Sequence, residues 1–222
     1  MTKKSKSIYT PSVIIEGFWE IPGVNYKGKN KTYRIFEKMA PAMNHDDLTE
    51  YSIKEKKEGN PHLADSILHF SIFDASYKLR NKHSQDIEGL RKFLQSSLRK
   101  YPNTSTRVVY NPQEELDNII HNYGTPDEYI LRGNFVGDDG WIRNIKHKKV
   151  LTSLLGTDNI KKINEISQWL TNTNTYLWRL NSKPLQKDEG VVGFGAYSLR
   201  LSLYCDRFPA NWCPAFRVLE VK

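Results

Sequence analysis

The stretch GVVGFGAYSLRLSLYCDRFPANWCPAFRVL, residues 190–219, contains no Lys, Glu, Gln or Met. Those four types supply 43 of the 222 residues, so thirty residues of average composition hold about six of them. The next-longest run free of them, residues 59–77, is shorter. The segment also carries both cysteines, Cys205 and Cys213, and the aromatics Phe194, Tyr197, Tyr204, Phe208, Trp212 and Phe216. A buried strand excludes Lys, Glu and Gln because an unpaired charge or amide is costly to desolvate. Burial therefore explains the alternating half of the segment. It does not explain the loop-like CDRFPANWCP, where long polar side chains face water freely.

Elsewhere the chain mixes helical and extended patterns. SVIIEGFWEI, residues 12–21, is β-branched and aromatic and predicts a strand. Residues 26–60 are polar and punctuated and read as loops with one short element. Asn60-Pro61 opens LADSILHFSIFDASYKLR, and Pro at a first helical position favours a helix near 61–79. The alternation of Leu68, Phe70 and Ile72 keeps a strand open there. Ser84 is placed to cap a helix near 86–100 with Ile87, Leu90, Leu94 and Leu98 on one face. TSTRVVY predicts a strand, QEELDNIIHNY a short helix, and EYILRGNFV a strand ending at the turn GDDG. KVLTSLLG and DNIKKINEISQWL predict helices, while TYLWRL and the closing AFRVLEV predict strands. The sum is an α+β chain without internal repeats. A basic tail over 1–10 is expected to be disordered. One domain is expected over 11–222, with a helical insertion around 112–172 and the first strand paired with the last.

Composition bounds the function. Hydrophobic residues make up 38% of the chain and aromatics 12%, enough for a core. There is no apolar run of about eighteen residues to insert in a membrane. The basic MTKKSKS leads into IYTPSVIIEGFWEIP, which meets charges too soon and has no small-residue cleavage site, so no secretion signal is expected. A cytoplasmic location is expected unless the protein is exported or displayed through a partner. The net charge of +8 invites a nucleic-acid partner. The lysines fall in separate groups (KKSK, KGKNK, KEKK, KHKK, IKK), which read as solvated faces rather than a phosphate track. Nucleic-acid binding is thus the alternative function and not the expected one.

Chemistry is sparse. His45, His62, His69, His83, His121 and His147 lack metal-ligand spacing, and Asp138-Asp139 reads as a turn. GVVGFG lacks the phosphate-loop pattern, and Cys205 has no base nearby in sequence. No catalytic residue, metal or cofactor is expected, and the protein does not read as an enzyme. The two cysteines suit one disulfide or two free thiols.

Randomised codons of the form NNY explain the opening segment better than burial does. They encode Tyr, Ser, Asp, Asn, Gly, Leu, Phe, Cys, Arg and Ala but never Lys, Glu, Gln or Met. They cannot encode Trp either, so Trp212 departs from the pattern. A C-terminal segment of this composition running into AFRVLEV resembles the variable region of diversity-generating retroelement proteins. With KYPNTSTRVVYNPQ, IIHNYGTPDEYILRGNFVGDDGW and TYLWRLNSKP before it, most of the chain resembles the archaeal, AvpA-like variable proteins. That resemblance implies a C-type lectin fold used as a scaffold for a hypervariable ligand-binding surface. It implies a protein or cell-surface ligand. The calcium motifs EPN, QPD and WND are absent, so no sugar-specific lectin is expected.

Alternation alone would bury Gly195, Tyr197, Leu199, Leu201 and Leu203 together. The resemblance implies instead that part of this face is displayed, with Ala196 and Ser198 fixed. The candidate ligand-binding surface is Gly195, Tyr197, Leu199, Leu201, Ser202, Tyr204, Asp206, Phe208, Ala210, Asn211, Trp212 and Cys213. Its Tyr, Phe and Trp offer rigid contact area, and its Ser, Asn and Asp offer adaptable hydrogen bonds.

Overall fold

A computed structural model describes residues 17–82, 85–114, 116–134, 140–145, 148–178, 185–197, 200–206 and 212–221. The described chain is mixed α and β. It opens with strands β1 (Phe18–Tyr26), β2 (Lys29–Phe36) and β3 (Ala40–Met43), then helices α1 (His45–Lys57), α2 (Ser66–Leu79) and α3 (Gln85–Leu98). Strands β4 (Asn103–Tyr110), β5 (Asp117–His121), β6 (Tyr129–Gly133) and β7 (Gly140–Trp141) follow. Helices α4 (Lys149–Leu155) and α5 (Ile160–Thr171) lead to β8 (Thr175–Trp178), β9 (Asp188–Tyr197), β10 (Arg200–Asp206), β11 (Cys213–Ala215) and β12 (Val218–Val221).

The chain ends meet in a small sheet of order β1-β2-β12. The expected direct pairing of first and last strands is corrected: β2 lies between them, antiparallel to both. The sequence reading took β2 for loop because Lys29 and Lys31 break its hydrophobicity. Its buried residues are Tyr33 and Ile35; Lys29 and Lys31 share their face by the two-residue period but sit at the turn end of the strand, where the chain leaves the core. Lys27 (φ 51°) and Gly28 (φ 75°) form the two-residue turn joining β1 to β2. Two positive φ angles match the hairpin twist, which favours glycine there.

The same polar region holds α1, capped by Asn44, whose Oδ1 accepts from the Asp47 amide at 2.9 Å. The helix expected near 61–79 begins at Ser66, because Asp65 is the cap: its Oδ1 accepts from the Leu68 amide at 2.8 Å. Residues 61–65 are extended instead, and His62 bridges to Val218. The segment 113–123, read as a helix, contains strand β5. Ile119 and His121 point inward there, and the pairing with β4 overrides local helix propensity. Among the described residues, 112–172 hold strands β5, β6 and β7 followed by helices α4 and α5, not helices alone. The capping role of Ser84, the tail and residues 11–16 lie outside the described residues.

The larger sheet runs β3-β11-β4-β9-β10-β8-β7, with β5 and β6 extending from β4. The core fills the space between the two sheets and the helices. α2 lies at its centre, packed on β1 and against α4 and α5. Phe73 of α2 meets Phe194 of β9 edge-on at 5.3 Å and Phe216 at 6.2 Å; Phe93 of α3 meets Phe216 at 6.0 Å. Phe194 and Phe216 belong to the opening segment, so its strands are integral to the core. Beside them, Tyr26 and Tyr129 donate their hydroxyls to Asp65 Oδ2 at 2.5 and 3.1 Å. Burial, then the Asp65 charge, holds both phenols well above their ordinary pKa, so they act as donors and not as bases.

Candidate ligand-binding face

Strands β9 and β10 form a hairpin whose last paired residues are Tyr197 and Arg200. The register joins odd to even residues: Gly193 with Tyr204, Phe194 with Leu203, Gly195 with Ser202. Facing parity therefore inverts across the turn. Val192, Phe194 and Ala196 face the core from β9, and Leu201, Leu203 and Cys205 face it from β10. The opposite, outer face carries Gly193, Gly195, Arg200, Ser202 and Tyr204.

Four expected display residues are corrected by this geometry. Leu201 is core, 3% exposed, because it pairs with inward Ala196. Gly195, Ser202 and Tyr204 lie on the outer face yet are buried, with Ser202 4% and Tyr204 9% exposed. The Tyr101 ring covers Gly195, and the Tyr204 ring lies over Gly193. A Cβ on Gly195 would stand 2.4 Å from Tyr101 Cδ1; one on Gly193 would stand 2.4 Å from the Tyr204 ring and 2.8 Å from the Pro102 carbonyl. Only glycine admits rings this close to the sheet. The Tyr204 hydroxyl donates to the Tyr101 carbonyl at 2.7 Å, and the rings meet at 6.0 Å.

Trp212 is 73% exposed and Cys213 half-buried, and neither Cys205 nor Cys213 is in a disulfide. Tyr197 and Asp206 are placed as strand backbone only, while Leu199, Phe208, Ala210 and Asn211 lie outside the described residues. The same holds for Asp138, Asp139, His83 and His147.

The outer face continues beyond the candidates. β8 runs parallel to β10, pairing Tyr176 with Ser202 and Trp178 with Tyr204. Tyr176 and Trp178 therefore face outward, and Leu177 between them is core. Trp141 of β7 pairs with Tyr176, their rings 5.4 Å apart at 85°. The Arg200 guanidinium carbon lies 4.3 Å from the Tyr176 ring centroid and 6.0 Å from that of Trp178. Tyr101, Tyr204, Tyr176, Trp178, Trp141 and Arg200 make a continuous aromatic face, of which the sequence reading held only Tyr204. The missed signal is in TYLWRL: Tyr and Trp at i and i+2 around a core leucine leave two large rings on the non-core side.

A charged network braces the neighbouring part of the sheet. Arg107 of β4 stands opposite Val191 of β9. Its Nε donates to His45 Nδ1 at 2.8 Å, one terminal nitrogen donates to Glu189 at 2.5 Å, and the other pairs with Asp46. The guanidinium also stacks 3.7 Å over Tyr123. Because Arg107 donates to Nδ1, His45 is neutral with its proton on Nε2, which donates to the Thr104 carbonyl at 2.8 Å. Burial and then the Arg107 charge bring the His45 pKa down to about 4.

Chemically, the face offers apolar contact and one cation. Among the described residues no three His, Cys, Asp or Glu side chains converge as a metal site. No helix among them is long and apolar enough to cross a membrane. Family models, curated proteins and solved structures were compared with this chain, and none matches.

The floor and the rim of the face should respond differently to substitution. Tyr204→Phe loses a buried hydroxyl bond and should lower unfolding free energy by about 1 kcal/mol. Trp178→Ser, at a half-exposed position, should change it by no more than about 0.5 kcal/mol. Chemical denaturation of both variants measures the contrast; equal losses would make Trp178 part of the core.

Proposed function

We propose that this protein is a non-enzymatic, ligand-binding scaffold of the diversity-generating retroelement kind, built on a C-type lectin fold. Its ligand is a protein or another cell-surface macromolecule. The observation that carries this reading is how the compositional gap maps on the structure. The segment without Lys, Glu, Gln and Met runs from Gly190 of β9 through β10 and β11 into β12, and in the hairpin it lays Val192, Phe194, Leu201 and Leu203 on the core face while Gly193, Gly195, Arg200, Ser202 and Tyr204 occupy the other. Burial alone does not account for the same restriction in the loop-like sequence CDRFPANWCP. A codon-level restriction covers both. The fold component draws support from the two chain ends sharing one small sheet, with α2 and α3 packed on the same core.

The geometry sharpens which positions tolerate variation. Core substitutions commonly cost several kcal/mol, so inward Val192, Phe194, Leu201 and Leu203 should stay constant, as should Gly193 and Gly195. Arg200 is the described position of the hairpin's outer face best placed to change; Ser202 and Tyr204 are buried there, and Trp212 is exposed but outside the NNY alphabet. Sequencing this locus across a natural population tests the reading. Substitutions should concentrate within residues 197–213, skip the inward positions, and trace to adenines in a neighbouring near-copy of the segment beside a reverse transcriptase gene. Substitutions spread evenly along the chain would overturn it.

A further inference from the structure

We infer that the Trp141–Tyr176–Trp178–Arg200 platform binds an acidic protein surface, gripping one carboxylate with Arg200 while the rings cover apolar side chains beside it. This rests on the ligand-binding reading of the same face and names the chemistry of its partner. Three observations point this way. The first is composition: Trp, Tyr and Arg are the residue types that dominate the energetic centres of protein interfaces. Here they are contiguous, and Trp178 is 50% exposed.

The second observation is preorganisation. Arg200 lies against the Tyr176 ring, within reach of Trp178. A guanidinium stacked on a ring keeps its edge donors in one plane, the arrangement that accepts a carboxylate through two parallel bonds. Among the ion pairs of described side chains none involves Arg200. The third is charge. The chain carries +8 overall, and in the sequence RNIKHKK, residues 143–149, holds four Lys or Arg and no acid. An acidic partner is attracted over distance and wrong, basic partners are repelled. A single-stranded nucleic acid fits less well. It needs cations tracking successive phosphates, and the described platform supplies a single guanidinium set among rings.

The test is selection of random twelve-residue peptides displayed on phage against the immobilised full chain, followed by calorimetry with the enriched synthetic peptides. Enriched peptides should carry Asp or Glu within two residues of an aromatic or branched aliphatic residue. Arg200→Ala and Trp178→Ala should each weaken them at least about tenfold. Arg200→Lys should recover little, because an ammonium cannot reproduce the fork. Circular dichroism of each variant checks the fold, and the two substitutions stand independently if one disturbs it. Three results would overturn the inference: selection without acidic enrichment, peptides that bind the variants as well as the parent, or an oligothymidylate whose salt-sensitive binding is the one that Trp178→Ala abolishes. Population sequencing bears on the variable-segment reading alone, so either conclusion can fail without the other.

Discussion

Arg107→Ala should lower the unfolding free energy by about 3–5 kcal/mol, the cost of removing one partner from a buried charged network. The side chain of Arg107 is 5% exposed, and every donor group on it is used. Truncation strands Glu189, whose side chain is two-thirds covered, and leaves the His45 Nδ1 lone pair without a donor in the interior. Asp46 is exposed at 72% and finds water, so its share of the loss is small. Arg107→Lys should rescue little, since one ammonium cannot donate along three directions. Replacing both members of the Arg107–Glu189 pair, as in Arg107→Met with Glu189→Gln, should cost less than Arg107→Ala alone, because no buried carboxylate then lacks a counter-charge. Denaturant titration of the three variants decides it. If the double variant is the least stable, the network contributes through packing and not through charge.

That network also marks where sequence reasoning stops. β4 is legible from its run of β-branched residues, and α5 because its isoleucines recur at the period of a helix. His45, Arg107 and Glu189 are far apart in the chain and individually unremarkable, so only the fold reveals that they meet. β2 was hidden for a different reason: its lysines sit at the turn end of a hairpin, where solvent reaches both faces, and polarity there mimics a loop. β5 was hidden because Asp117 and Asn118 favour turns and caps, while its cross-strand partners lie on β4 and β6. Asp65 took the capping role that the Asn60-Pro61 dipeptide seemed to claim.

The candidate face was partly legible. The segment and its strand character follow from composition and alternation. The facing of individual residues does not, because it depends on where the chain reverses. Treating 195–203 as one strand keeps Gly195 and Leu201 on a common side. The reversal between Tyr197 and Arg200 puts them on opposite sides, so Leu201 becomes core and Arg200 becomes surface. Tyr101, Trp141, Tyr176 and Trp178 lie outside the compositional gap, and nothing in that gap announces the rings that border it.

Acidification from pH 7 to pH 5 should destabilise the protein by at least about 2 kcal/mol, with His45 as the largest identified source. Its pKa in the fold is about 4, below the ordinary value of 6.5. A group with a lowered folded pKa binds more protons when unfolded. Its contribution is therefore complete above about pH 6.5 and is lost as the pH falls toward 4. The full loss from His45 is about 3 kcal/mol, at roughly 1.36 kcal/mol per pKa unit. His62, His69 and His121 shift in the same direction, each chiefly through burial, so their losses add to it. His121 is held neutral by its own bonds, Nε2 to the Ser153 carbonyl at 2.9 Å and Nδ1 to the Thr106 hydroxyl at 3.0 Å. Urea denaturation at half-unit steps from pH 7 to 5 reads the slope above the range where most carboxylates titrate. His45→Gln should flatten it by His45's share. Arg107→Ala should move His45's part of the titration to higher pH, because the cation that opposes protonation is gone and Nδ1 is free to accept a proton. A pH-independent stability over this range would mean that these histidines are hydrated in solution, and that the buried network bracing the outer face is open to water.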